Sequence, residues 1–310
     1  MDPVSPAEAH WSYLSVLACP SCHTPLLREN LQLRCQPCER TYTRTESVLS
    51  LFTPEGERAM AGSHDAPWSR WRAAIEGLET WRKRQRRAPR LSSSSPADVH
   101  EDGTSDLALE RLLAACTEGI DRPLIVDVGA KDGRMAARFS RPVRYLGVEP
   151  FVQGVHSEDS PVVRALGESL PLQNGTVHGV LCHAVFDYFV DGARALDEMA
   201  RVLAPGASLA LVVSVLTPHV AHARASHTRA GRLWHALSAT REVGVRAAAT
   251  LLPQALSLTT AHTQFYTRNE VMALLAARFE LCSVHEQPTR TSSVLYIHAR
   301  KRTKKRLPVI

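Results

Sequence analysis

Between residues 124 and 215 short apolar runs alternate with stretches of helical spacing. The run L-I-V-D-V at Leu124–Val128 is apolar except for one acid, which suits a strand covered on both faces. Comparable runs follow at Val143–Val148, Val162–Leu166, Thr176–Cys182 and Ser208–Val215. R-M-A-A-R-F at Arg134–Phe139 predicts a helix behind the first strand, and Asp191–Leu203 predicts another between the last two. Upstream, Ser105 is placed to cap a helix whose Leu109, Leu112, Leu113 and Cys116 share one face. Downstream, T-R-N-E at Thr267–Glu270 is a capping box that opens V-M-A-L-L-A-A. Strand, helix and strand repeated in this order predict an α/β fold with a mostly parallel, doubly wound sheet. Its ligand cleft lies at the carboxyl ends of the strands.

The N-terminal quarter has a different pattern, set by cysteine. Four of the seven cysteines form two C-x-x-C pairs, Cys19 with Cys22 and Cys35 with Cys38, separated by twelve residues. Two such knuckles can meet head to head and complete a tetrahedral zinc site. A redox dithiol needs only one pair and usually a thioredoxin-like context, and disulfides seldom persist in a reducing compartment. Structural Zn2+ is the expectation. With four protein ligands the metal has no open position for catalysis, and it would hold together a module of about 40 residues that is too small to stand unaided.

Between the two patterns the sequence is read coarsely. Trp68–Trp81 has helical spacing with three tryptophans and runs into the basic stretch W-R-K-R-Q-R-R-A-P-R. Residues 88–103 are rich in serine and proline and patternless, which predicts a linker. The expected organisation is a zinc ribbon over 1–56, a helical and basic linker over 57–104, a main domain over 105–300 and a basic tail over 301–310.

Charge sharpens this division. The 310-residue chain carries a net charge of +6, but six of its 37 basic residues lie between Arg82 and Arg90 and six more between Arg300 and Arg306. Without those twelve, 25 basic residues face 31 acidic ones, so the body is acidic. The two runs could grip RNA through its phosphates, or they could be a solvated helix face and a tail. The chain opens without the basic and apolar regions of a secretory signal, and no apolar run is long enough for a membrane span, so a cytoplasmic protein with no membrane partner is expected.

The candidate chemistry starts at Ile125–Gly133, I-V-D-V-G-A-K-D-G. Asp127 closes the first strand, Gly129 lets the chain turn with its backbone close to a ligand, and Gly133 lets the next helix start against it. Glu149 closes the second strand, where a carboxylate can accept both hydroxyls of a ribose. An adenosine ligand follows. A dinucleotide would want G-x-G-x-x-G, yet Lys131 and Arg134 stand at the second and third glycine positions.

Motifs further along give the reading a family. Ala165–Cys182, A-L-G-E-S-L-P-L-Q-N-G-T-V-H-G-V-L-C, and Ala195–Val213, A-L-D-E-M-A-R-V-L-A-P-G-A-S-L-A-L-V-V, resemble the class I S-adenosylmethionine-dependent methyltransferases of the ubiquinone and menaquinone biosynthesis type. The resemblance implies a Rossmann-like class I methyltransferase sheet with a C-terminal antiparallel strand, closed by Glu280–His285 and Ser293–Ala299. It also implies S-adenosyl-L-methionine as cofactor, with Asp127, Gly129 and Gly133 around the methionine moiety and Glu149 at the ribose. Glu168, Ser169 and Leu170 would then flank adenine, and Cys182 and His183 would face the sulfonium. Lys131 departs from the family glycine, and Leu166 stands where many relatives hold an adenine-binding aspartate. Residues 217–260 would be a helical cap that sets substrate choice.

The ribbon adds a second likeness. L-A-C-P-S-C-H-T-P-L-L, L-Q-L-R-C-Q-P-C and the segment from Tyr42 to Phe52 resemble small zinc-ribbon proteins that activate tRNA, rRNA and release-factor methyltransferases. They also resemble the zinc modules of bacterial 23S rRNA guanine methyltransferases. Methyl transfer needs a positioned nucleophile and, for some acceptors, a base. His183, Asp187, Tyr188, His262 and Tyr266 are the candidates by position, although each is equally a packing or hydrogen-bonding residue. Two acceptor classes remain open, a small metabolite or natural product and an RNA. A scaffold that no longer binds the cofactor is a third reading.

Overall fold

The computed structural model describes residues 12–45, 48–61, 103–152, 161–216, 266–288 and 292–303. The tryptophan-bearing helix, the Arg82–Arg90 run, the linker, the 217–260 cap, His262 and Lys304–Arg306 lie outside these residues.

The ribbon comprises β1 (Leu27–Glu29), β2 (Gln32–Cys35) and β3 (Arg40–Tyr42), which form an antiparallel sheet in that order. A two-stranded ladder of β4 (Arg44–Thr45) and β5 (Val48–Leu49) follows. Next comes α1 (Pro54–Ala61). Its start combines a proline at the first helical position with Thr53, whose Oγ1 accepts from the Gly56 amide at 3.0 Å. Proline has no N–H to orphan there, and threonine satisfies one of the remaining donors.

The main sheet follows α2 (Gly103–Thr117). This helix begins two residues before the predicted cap, so Ser105 lies inside its first turn. The strands are β6 (Leu124–Val128), β7 (Arg144–Val148), β8 (Val162–Val163), β9 (Val177–His183), β10 (Leu203–Leu216), β11 (Phe279–Pro288) and β12 (Ser292–Lys301). The helices α3 (Gly192–Val202) and α4 (Arg268–Ala276) lie on either side of β10 in the chain. The sheet order is β11-β12-β10-β9-β6-β7-β8. The ladders from β8 to β10 are parallel, and β12 is antiparallel to both of its neighbours. This is a Rossmann-like fold, a mostly parallel sheet with C-terminal antiparallel strands. The strand order reverses between β6 and β9, and the crevice of a doubly wound sheet opens there.

The continuous apolar runs are explained by the two covers of the sheet. Ile125, Leu181, Ala210 and Val212 face one way and pack with Leu109, Leu112, Leu113 and Cys116 of α2. Their neighbours Val126, Val180, Leu211 and Val213 face the other way and pack with Leu196 and Met199 of α3 and Leu275 of α4. That same cluster contains Leu17, Cys19, Leu33, Cys35, Tyr42, Leu49 and Leu51 of the ribbon. Ribbon and sheet therefore share one apolar core. Backbone bonds reinforce the join. Residues Leu49–Leu51 run parallel to the edge at Arg164, with Leu51 N donating to Arg164 O at 2.8 Å and Arg164 N to Leu49 O at 2.9 Å.

Two expectations change in detail. The segment behind β6 is a five-residue 3-10 helix, Arg134–Arg138, rather than a full α-helix. The basic C-terminal run is also partly inside the fold. Lys301 Nζ donates to Leu203 O, and the Arg302 guanidinium donates to Ala276 O at 3.0 Å and Phe279 O at 3.2 Å. Those last two contacts satisfy carbonyls at the end of α4 and the start of β11, where a helix leaves acceptors unpaired. No helix among the described residues is long and apolar enough to cross a membrane.

Candidate active site

The turn after β6 is built on left-handed backbone. Gly129 has φ 84°, Lys131 φ 55° and Gly133 φ 73°. A Cβ on Gly129 would come within 2.5 Å of Val185, so both the dihedral and the space require glycine. Lys131 is left-handed without being glycine, and the residue is exposed. Its amide donates to Glu149 Oε2 at 3.1 Å, while the Phe151 amide donates to Oε1 at 3.1 Å. The carboxylate at the tip of β7 is thus oriented by the turn from β6. Asp132 in the same turn pairs with the Arg134 guanidinium, which holds its carboxyl below the usual range.

Asp127 is 3% exposed, and its Oδ2 accepts from the Tyr145 hydroxyl at 2.5 Å. Burial pushes its carboxyl up to about 7, the tyrosine hydrogen bond opposes the rise, and the nearby Glu149 charge adds to it. A buried acid without a cation partner behaves this way, because a low-dielectric site penalises the ionised form.

The segment after β8 is closely held. Glu168 is buried, and its Oε1 accepts from Val190 N at 2.8 Å. Burial raises its carboxyl to about 7 against those amides. Leu166, at the position of the family aspartate, is 3% exposed and packs with Phe52 and with Ala59 of α1. Phe151 and Val190 border this small cluster beside Glu149. Ser169 and Leu170 are both buried. The Leu170 side chain belongs to the main core. Cys182 is likewise fully buried in that core, and burial holds its thiol well above the ordinary range.

Four of the candidate proton-transfer residues, His183, Asp187, Tyr188 and Tyr266, lie among the described residues. His183 is the last residue of β9, and the following Ala184 has φ 56°. Asp187 and Tyr188 lie on the 3-10 turn Phe186–Tyr188. The Tyr266 ring meets Phe186 with centroids 5.0 Å apart, and its hydroxyl occupies the space a Cβ on Gly192 would fill. Burial, with the charges of Asp187, Asp191 and Glu168, raises the Tyr266 phenol to about 12. Asp187 and Tyr188 thus share the 3-10 turn that follows His183, and Tyr266 packs on that turn through Phe186.

The four ribbon cysteines place their sulfurs within 4.8 Å of one another. Cys19 and Cys38 approach to 3.8 Å, and Cys22 and Cys35 to 3.4 Å. A tetrahedron with Zn–S bonds of about 2.3 Å has sulfur–sulfur edges of about 3.8 Å, so the set suits zinc. The sulfurs share protons unevenly. For Cys22 burial works upward, but hydrogen bonds from Thr24 and the neighbouring cysteines outweigh it and bring the thiol down to about 6. Cys38 is pushed up to about 12, chiefly by its hydrogen bond with Cys22.

Sequence reasoning missed Tyr145, Glu198 and Arg201. Glu198 and Arg201 are one turn apart on α3 and form a partly buried pair at 2.7 Å. Glu198 Oε2 accepts from Leu170 N at 2.8 Å, and Arg201 donates to Leu170 O at 2.9 Å and Leu172 O at 2.7 Å. Their i, i+3 spacing of opposite charge was the available signal.

Residues 126–211 match the model of a methyltransferase domain. Among curated proteins, an uncharacterized methyltransferase of a Mycobacterium species is 32% identical over 135 residues, which cover 41% of this chain and 54% of the relative. A Mycobacterium tuberculosis uncharacterized methyltransferase is 32% identical over 136 residues, with the same coverage of 41% and 54%. The chain thus spans about half the length of the curated relatives it matches. Among solved structures, a SAM-dependent methyltransferase from Thermotoga maritima is 20% identical with a TM-score of 0.39, covering 66% of this chain and 96% of that one. A geranyl diphosphate C-methyltransferase from Streptomyces coelicolor is 13% identical with a TM-score of 0.42, covering 64% and 76%.

Proposed function

We propose that this chain transfers a methyl group from S-adenosyl-L-methionine to a small-molecule acceptor. The observation that carries the reading is the acid–glycine turn at the switch point of the sheet. A buried Asp127, a left-handed Gly129 and a Glu149 carboxylate held by the Lys131 amide converge where the strand order reverses.

The cofactor supplies a methyl already activated on a sulfonium, so the chain contributes alignment, exclusion of water and a place for the acceptor's proton. Asp127 would hold the amino end of the methionine moiety, and the glycine turn lets backbone approach it. Glu149 would accept from the ribose hydroxyls. Gly167 to Leu170, together with Phe151, would flank adenine. His183 at the end of β9 would take a proton, and Tyr266, neutral through the physiological range, would donate a hydrogen bond rather than act as base.

The small-molecule acceptor is favoured because Lys301 and Arg302 of the C-terminal basic run are bonded to carbonyls of the fold, which leaves fewer cations for a phosphate backbone. An RNA acceptor is the second reading, favoured by the β1–β2 hairpin, whose Leu27 and Leu31 are 45% and 69% exposed beside Arg28 and Arg34. We also infer that Cys19, Cys22, Cys35 and Cys38 hold a structural Zn2+.

Labelled methyl transfer into a cell extract separated into RNA, protein and small-molecule fractions tests the acceptor class. Label in the small-molecule fraction is expected. Label confined to RNA would replace this reading with the second one.

A further inference from the structure

We propose that the tetracysteine ribbon is a working part of the cofactor site, because it fixes the segment that flanks adenine and so makes cofactor affinity depend on metal loading. The inference rests on the reading of residues 167–170 as that flank.

The geometry is a bracket. At one end of the segment, Arg164 exchanges backbone hydrogen bonds with Leu49 and Leu51, on the arm that leaves the second knuckle. At the other end, Ala18 N donates to Pro171 O at 2.9 Å and Gln173 N donates to Val16 O at 2.9 Å. Leu17 and Leu172 form an antiparallel bridge there, and Gln173 Nε2 reaches Ser15 O at 2.9 Å. This second arm leads directly into Cys19. The two arms therefore hold residues 164 and 171–173, and only Ala165–Leu170 lies between them. On the opposite side, Glu198 and Arg201 grip the N–H and C=O of Leu170 from α3.

The two arms are joined to each other through the knuckles. Cys19 and Cys22 follow the Val16–Ala18 arm, Cys35 and Cys38 lead through β3 to the Leu49–Leu51 arm, and the four sulfurs converge within 4.8 Å. A metal bonded to all four sulfurs makes this a single rigid clamp. Without it the arms are joined by the short three-stranded sheet, the Cys19–Tyr42 contact and the shared apolar core, with no covalent bond between the two knuckles themselves. The segment between them then loses one of the two elements that fix its backbone, and positioning groups of this kind typically change affinity tenfold or more when released.

The test uses the full chain loaded with zinc, the same chain stripped with a chelator, and loaded Gln173→Ala. The readouts are S-adenosylhomocysteine affinity by calorimetry and amide exchange at Arg164, Leu170 and Gln173 relative to Leu211 in the central sheet. Stripping is expected to weaken affinity at least tenfold and to expose the first three amides while Leu211 stays protected. Gln173→Ala should keep its zinc and bind about threefold more weakly. Unchanged affinity and exchange in a stripped, folded chain would overturn the proposal. So would a purified chain that binds the ligand normally without metal. If stripping unfolds the whole chain, loaded Gln173→Ala decides alone, and unchanged exchange at Leu170 counts against the clamp. A loaded chain that gives no heat with S-adenosylhomocysteine defeats the reading of the site, and the exchange pattern then judges the clamp by itself.

Discussion

The Tyr145 hydroxyl donates to Asp127 Oδ2 at 2.5 Å inside the sheet, one strand away from the turn that ends at Gly133. The bond orients an acid that burial would otherwise keep protonated. With a folded value of about 7 against an ordinary 3.8, Asp127 binds more protons in the folded chain than in the unfolded one across that window. Stability of the ligand-free chain should therefore fall as pH rises from about 4 to about 7, by about 1 to 3 kcal/mol from this residue. Asp127→Asn should reduce that slope, leaving the part that Glu168 contributes with the same sign, and weaken S-adenosylhomocysteine binding at least tenfold at pH 8. Urea titrations at a series of pH values, read beside calorimetry, check both effects.

Lys131 carries a side chain in a left-handed turn, a conformation that disfavours any Cβ. Lys131→Gly should stabilise the chain by up to about 1 kcal/mol, seen as a higher Tm. Cofactor affinity should hold, since the amide that reaches Glu149 remains.

Glu198 and Arg201 are 11% and 15% exposed at the side chain and satisfy three backbone groups of Leu170 and Leu172. Removing one partner leaves a partly buried charge and unpaired carbonyls or an unpaired amide. Arg201→Met should cost about 2 to 4 kcal/mol by denaturant unfolding, and it should raise KM for the cofactor more than it lowers kcat. A variant with wild-type stability would contradict the clamp at Leu170.

Gly192 opens α3 under the Tyr266 hydroxyl, and a Cβ there would also meet Phe186 at 3.0 Å. Gly192→Ala should displace Tyr266 at a cost of about 1 to 3 kcal/mol. Tyr266→Phe, which keeps the ring against Phe186, should be milder in stability. A kcat loss for Tyr266→Phe without a stability loss would show that the hydroxyl serves the reaction.

The sheet was legible because its strands are covered on both sides, which writes them into the sequence as apolar runs. The capping box at Thr267 was legible because both of its bonds come from side chains, Glu270 N to Thr267 Oγ1 at 3.2 Å and Thr267 N to Glu270 Oε2 at 2.7 Å. What escaped was made by backbone or by tertiary context. The bonds between Val16–Ala18 and Pro171–Gln173 are main-chain contacts that leave no pattern, so the ribbon read as a separate module. Leu166 read as an unexplained departure until α1 was seen against it. Arg134–Arg138 had the spacing of a helix but lies next to two left-handed residues, Lys131 and Gly133, and forms only a tight turn. Within the candidate site, the glycine turn at Gly129 and the acid that follows β7 were legible from spacing. That the Leu170 and Cys182 side chains lie in the core was not legible, because a core side chain and a pocket side chain look alike in sequence.

The most direct measurement is calorimetric titration of the pure, folded chain with S-adenosylhomocysteine, repeated with Glu149→Ala. The account predicts saturable one-to-one binding for the parent chain and at least a tenfold loss for the variant. Absence of heat with the parent, or equal affinity in the two, would contradict it.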